Sequence, residues 1–138
     1  MGKKKIVIDT NNLISAFGWE GKSRDLLRKV IDKEYELVIS IKQLEELKNV
    51  LDYPKFKFSE EQKRKFLEII FKIATVIDTK LKLDVCDDEK DNMFLECAIE
   101  GKADYLISGD DDLLRLKRFK NVKIISVKEF LEKYTQSK

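Results

Sequence analysis

Carboxylates recur at four separated places in this sequence. Asp9 follows Ile6-Val7-Ile8, and Glu45 and Glu46 sit in a run opened by Ser40. Asp91 precedes Phe94-Leu95, and Asp110-Asp111-Asp112 follows Leu106-Ile107-Ser108-Gly109. The chain has no histidine, which removes histidine general bases, Ser-His and Cys-His nucleophilic pairs and histidine-ligated zinc. Two cysteines, Cys86 and Cys97, are too few for a four-thiolate zinc site and lack C-x-x-C spacing. Chemistry near neutral pH is left to carboxylates, lysines or a bound metal ion. If the fold gathers these acids in one cleft, they cannot all stay ionised unaided, because like charges raise one another's pKa. A divalent cation resolves the repulsion, and ligation by oxygen alone selects a hard ion, Mg²⁺ or Mn²⁺. Such a site can activate water and stabilise a leaving oxygen on phosphorus.

Each acid also has a local reading. Asp9 opens Asp-Thr-Asn-Asn, good helix-capping material. Asp91 shares a helix face with Phe94, Leu95 and Ala98, so it is either a first-turn acid favoured by the helix dipole or an acid facing a polar cleft. Glu45 and Glu46 flank the Ile41/Leu44/Leu47/Leu51 stripe, and periodicity does not choose between them. Gly109 before the acid triplet would let the backbone turn sharply and approach a ligand.

The elements that must position these groups can be read in outline. The 138 residues have the length of a single domain, 1–138, and the hydrophobic fraction of 43% excludes global disorder. With 28 basic and 26 acidic residues the net charge is only +2, not the balance of a protein that holds nucleic acid by bulk charge. No stretch is long and apolar enough for a membrane span. Without an export signal or patterned cysteines, the expected location is the cytoplasm. Strands are expected at 4–9, 36–40, 75–78, 103–108 and 122–125. Helices are expected between them, and Gly101 should close the one that carries Asp91. Ser23 is expected to cap a helix, and Ser40/Gln43, Ser59/Gln62 and Ser126/Glu129 have capping-box spacing. Thr135–Lys138 reads as a frayed tail. Alternating strands and helices predict an α/β fold with a mainly parallel sheet, and ligands in such sheets bind beyond the carboxyl ends of the strands.

Four segments carry a resemblance: Ile6-Val7-Ile8-Asp9-Thr10-Asn11, Leu44-Glu45-Glu46-Leu47, Asp91-Asn92-Met93-Phe94-Leu95-Glu96-Cys97-Ala98 and Ala103-Asp104-Tyr105-Leu106-Ile107-Ser108-Gly109-Asp110. Together and in this order they resemble the motifs of PIN-domain nucleases, in particular the small prokaryotic VapC-like toxins of toxin–antitoxin pairs. The resemblance implies a three-layer α/β/α PIN-like fold with a parallel sheet of about five strands in the order 3-2-1-4-5 and helices on both faces. It implies a Mg²⁺- or Mn²⁺-dependent endoribonuclease, with RNA as substrate and an antitoxin protein as partner. Asp9 matches the first family acid, Glu46 the second better than Glu45, Asp91 the third and Asp110 the fourth. Asp9, Asp91 and Asp110 would ligate the metal, with Asn11, Ser108 and Asp112 in auxiliary positions. Many relatives carry Arg where this chain has Tyr53.

Other features read two ways. Lys55, Lys57, Lys63 and Arg64, with Phe56 and Phe58 interleaved, fit either an RNA clamp or a solvated helix face over core phenylalanines. Trp19 could stack a base, enter a homodimer interface or simply pack. The helix at 59–74 has more Phe and Ile than one face needs, consistent with a surface for a second copy or an antitoxin. Two other functions compete. One is a different phosphotransfer enzyme. A haloacid-dehalogenase-like site wants Asp where Asn11 stands, and a Toprim-like site wants Glu at Asp9, although Asp110-Asp111-Asp112 supplies its later D-x-D. The other is a catalytically inactive RNA- or protein-binding module, which the presence of all four acids disfavours.

Overall fold

Ile6, Val7 and Ile8 are the branched, apolar residues that a strand covered on both faces requires, and they form the centre of β1 (Lys5–Ile8). The computed structural model describes residues 3–134; the tail Thr135–Lys138 lies outside the described residues. In chain order, β1 is followed by α1 (Thr10–Gly18), α2 (Lys22–Ile31), β2 (Glu36–Ser40), α3 (Ile41–Leu51), a short 3₁₀ turn at Pro54–Phe56, α4 (Glu60–Ile73) and β3 (Ala74–Ile77). Then come α5 (Glu89–Glu100), β4 (Tyr105–Ile107), α6 (Asp111–Leu114), β5 (Arg118–Phe119), β6 (Val122–Ile125) and α7 (Val127–Tyr134).

The sheet order is β3-β2-β1-β4-β6-β5, parallel throughout except for β5, which pairs antiparallel with β6. The expected order of five parallel strands is present, with one edge hairpin added. β5 has two residues and no apolar run, and Lys117 and Lys120 beside it adopt left-handed backbone (φ 61° and 53°). Nothing in its composition signals a strand.

Side-chain alternation divides the core between the two faces of the sheet. Ile6, Ile8, Leu37, Ile39, Ile107 and Ile125 pack with α1, α2, α3, α4 and α7. Val7, Val38, Leu106 and Ile124 pack with α5 and with Leu113 of α6. The result is the three-layer α/β/α arrangement. No helix among the described residues is long and apolar enough to cross a membrane.

Two local expectations change, and a third holds for a different reason. Gly21, not Ser23, stands at the N-cap of α2, and the Ser23 hydroxyl instead donates to Asn12 Oδ1 at 3.1 Å. Gly101 ends α5 with right-handed backbone (φ −81°). It is a glycine for space: a Cβ there would lie 2.7 Å from Val38 Cγ1. The side chain of Gln43 does not complete a capping box. Ser40 Oγ accepts from the Gln43 amide N–H, but Gln43 Nε2 donates to the Ile8 carbonyl at 2.7 Å, tying α3 to the end of β1. Ser59 and Gln62 do form a full box.

Candidate active site

β1 and β4 are neighbours with Ile8 opposite Ile107, so the chain leaves both strands at the same edge of the sheet. This edge is also the topological switch point, since β2 lies on one side of β1 and β4 on the other. Asp9 caps α1, its Oδ1 accepting from the Asn12 N–H at 3.0 Å. Its Oδ2 accepts from Ser108 Oγ at 2.7 Å and from the Gly109 N–H at 3.1 Å. Ser108 is fully buried and its hydroxyl also accepts from the Asp110 N–H at 2.9 Å. One hydroxyl thus bridges two acids that lie far apart in sequence. Asp110 in turn caps α6, accepting from the Asp112 N–H at 2.8 Å. A Cβ at Gly109 would meet no protein atom within 4 Å, so no contact inside the fold requires glycine here.

Ser108→Ala would strip Asp9 of a donor and leave the Asp110 amide without an acceptor. The expected cost is about 1–3 kcal/mol of stability, read as a lower urea midpoint at unchanged slope. A midpoint equal to that of the parent chain would remove Ser108 from the bridge.

Asp9, Glu46, Asp91 and Asp110 line one cavity of about 160 Å³, together with Thr10, Asn11, Val50, Asp88, Lys90 and Phe94. Glu46 faces this cavity while Glu45 is exposed elsewhere on α3. The Thr10 hydroxyl donates to Glu46 Oε1 at 2.5 Å and holds that carboxylate in place. Asp91 is buried in the first turn of α5 on the face shared with Phe94 and Leu95, so both local readings of it apply. Burial, and then the charges of Asp110 and Asp88, push its carboxyl up to about 7. Its Oδ2 has no hydrogen-bond partner. Oxygens of Asp91, Asp110 and Asp112 lie within 4.8 Å of one another. Asp9 lines the same cavity but is not part of that tight trio, its oxygens being turned to the Asn12, Ser108 and Gly109 donors. Three close carboxylates and an orphaned buried oxygen fit a hard divalent cation better than they fit one another.

The other expected contacts distribute differently. Asn11 reaches the cavity and Ser108 underlies it. Lys63 binds Asp52 and Glu60, each at 2.8 Å, and Arg64 lies 3.4 Å from Glu68. Neither lines the cavity, nor do Lys55 and Lys57. Thr10 and Lys90 line the cavity and Asn92 supports it, with no signal in the sequence beyond adjoining the named acids, and Gln43, expected as a cap, instead ties α3 to β1. Asn92 Oδ1 accepts from the Val85 and Cys86 N–H groups at 2.9 Å and fixes the loop leading to α5. Polar residues adjoining the named acids were a signal, but their partners are too remote in sequence to infer. Cys86 and Cys97 are free and buried, and burial pushes their thiols up to about 11 and about 12, so they act as small apolar fillers.

A doubly wound sheet whose central strands end in a shared acidic cavity defines an α/β protein with its chemistry at the switch point. The PIN domain family model matches residues 5–112, and the chain belongs to the PIN domain family. PIN domains are in general nucleases, hydrolases acting on nucleic acids. The chain is 31% identical to Uncharacterized protein MJ1680 of Methanocaldococcus jannaschii, over 96% of this chain and 92% of that protein. Its fold is similar to a chain in the crystal structure of VapBC2 from Rickettsia felis bound to a DNA fragment from their promoter. The TM-score is 0.62 at 19% identity, covering 87% of this chain and 96% of the other.

Proposed function

We propose that this chain is a Mg²⁺- or Mn²⁺-dependent endoribonuclease that acts as the toxin of a toxin–antitoxin pair. The single observation that carries the reading is the cavity shared by Asp9, Glu46, Asp91 and Asp110, with an unpartnered Asp91 oxygen inside the trio of close carboxylates. Asp91 and Asp110 would hold the ion, with Asp9 behind them and Asp112 beside them. A bound divalent ion supplies a nucleophile at neutral pH and offsets charge on the leaving oxygen. Glu46, with Oε1 engaged by Thr10, keeps Oε2 for the proton of the attacking water. As that proton moves to Glu46, a new P–O bond forms in line with the one that breaks. Lys90 at the cavity rim is placed to neutralise a phosphate oxygen. Asn11, in the first turn of α1, offers an amide to the same substrate.

The likeness to a VapBC chain supports an antitoxin partner. Phe71 and Ile69 stay exposed on α4 and offer such a partner, or a second copy, an apolar face. A cytoplasmic setting belongs to the same reading, since it keeps two free thiols reduced.

The test is an RNA-cleavage assay on purified protein across a Mn²⁺ titration. Cleavage should require the ion, stop in EDTA, and fall at least about 100-fold in Asp9→Asn. Cleavage that persists in EDTA, or turnover of a phosphomonoester without any cleavage of RNA, would overturn the assignment.

A further inference from the structure

The basic stretch after α3 separates into two parts. Lys63, Arg64 and Lys65 are each paired with carboxylates. Lys55 and Lys57 have no acidic partner among the described residues, and both are exposed. Beside them the fold assembles an aromatic ladder that is not visible in the sequence. The Tyr53 and Phe56 rings are parallel to within 2° at 6.4 Å, and Phe56 and Phe58 to within 17° at 5.5 Å. Trp19, from the far end of α1, packs at 6.1 Å from Phe56 and 6.0 Å from Phe58. Gly18 permits this, since a Cβ there would lie 3.1 Å from the Phe58 ring. Phe56 and Phe58 are half-buried supports, whereas Trp19 (52%) and Tyr53 (44%) present open ring surface.

The ladder is joined to the acidic cavity by two packed helices. α1 runs from Asn11 at the cavity to Trp19 at its C-cap. α3 packs beside it with Glu46 and Val50 lining the cavity, and Tyr53 follows two residues beyond its last turn, in extended backbone. A helix of this length spans roughly 13 Å, the reach of about four stacked nucleotides.

We propose that Trp19 and Tyr53, backed by Phe56 and Phe58 and flanked by Lys55 and Lys57, form a base-stacking platform that delivers single-stranded RNA to the acidic cavity. Lys55 lies over the Phe56 ring at 5.1 Å, and neither it nor Lys57 has a carboxylate partner among the described residues; open π-faces beside such lysines suit a strand with exposed bases and a charged backbone. Exposed Trp and Tyr also anchor protein partners; two neighbouring lysines without acidic complements favour a polyanionic strand over an apolar partner. The identity of the strand as RNA rests on the ribonuclease reading; the platform itself does not.

Trp19 is the single tryptophan of the chain, so its emission reports on stacking directly. Oligouridine of about 12 nucleotides, within the site sizes of single-strand binders, is titrated in EDTA, where cleavage is not measured. Saturable quenching is expected, with none from a duplex of equal length. Tyr53→Ala should weaken binding about tenfold, while Tyr53→Phe should keep it. The pair Lys55→Ala and Lys57→Ala should lower the slope of log K against log salt by about 1.4. Absence of quenching or an unaffected Tyr53→Ala overturns the proposal, and tighter binding of single-stranded DNA overturns its assignment to RNA. So does quenching that follows protein concentration without RNA, which would mark a self-association surface. Quenching without Mn²⁺-dependent cleavage would defeat the ribonuclease reading and leave the platform standing. Cleavage without quenching would do the reverse.

Discussion

Asp110→Asn is expected to give a folded protein whose Mn²⁺-dependent RNA cleavage falls about 1000-fold, as several kcal/mol of charge stabilisation are lost at roughly 1.4 kcal/mol per decade. The fold should survive because Asp110 works structurally as the N-cap of α6, accepting from the Asp112 N–H at 2.8 Å, and Asn caps as well as Asp. What disappears is one of three charges whose oxygens lie within 4.8 Å. Asp111 provides the control. It is exposed at the start of α6 and outside the trio, so Asp111→Asn should cleave like the parent chain. Parallel thermal melts separate unfolding from loss of chemistry. Wild-type rates in Asp110→Asn, or equal losses in both variants, would place the chemistry elsewhere.

Without divalent ions the protein should lose stability as pH rises from 5 to 8, the reverse of ordinary acid denaturation. Burial and then the neighbouring Asp110 and Asp88 charges move the Asp91 carboxyl from an ordinary 3.8 up to about 7. Between these values the native state keeps a proton that the unfolded chain has released. Stability therefore declines with pH across the window and levels off above the upper value. Integrated over the window, the effect is on the order of 2–4 kcal/mol. Asp91→Asn removes the charge at nearly constant shape. It should flatten the slope and make the ion-free protein more stable than the parent at pH 8. Urea melts in EDTA across this range decide the matter, taken as the difference between the two proteins so that other titrations cancel. A parent curve that rises with pH by the same amount as the variant would show that Asp91 ionises freely. Saturating Mn²⁺ should raise stability most at the alkaline end, where the carboxylate charge is complete.

The strands were legible where they are covered on both faces. Ile6-Val7-Ile8 and Leu37-Val38-Ile39 are uninterrupted branched or apolar runs, and both proved to be central strands. The Ser59/Gln62 box was legible because all its partners lie within one turn. Ser40 and Gln43 have the same spacing, yet the glutamine amide reaches Ile8, 35 residues away. The β5 hairpin escaped notice because two residues held by an antiparallel neighbour have no period to detect. Charge runs misled in a similar way. Lys63 and Arg64 read like Lys55 and Lys57, and only the positions of Asp52, Glu60 and Glu68 set the two pairs apart.

By itself the sequence determined the alternation of strands and helices and the placement of an acid just past β1 and another just past β4. The absence of histidine also limited the chemistry to oxygen ligands. These are short-range matters, governed by side-chain type and by periodicity over a few residues. Only the tertiary structure decided that Glu46 rather than Glu45 faces the cavity, that Ser108 joins Asp9 to Asp110, and that Trp19 meets Phe56 and Phe58. Each of those pairings depends on strand register and on how one helix lies against another. Both are set by packing the whole core at once, so no local window of sequence contains them.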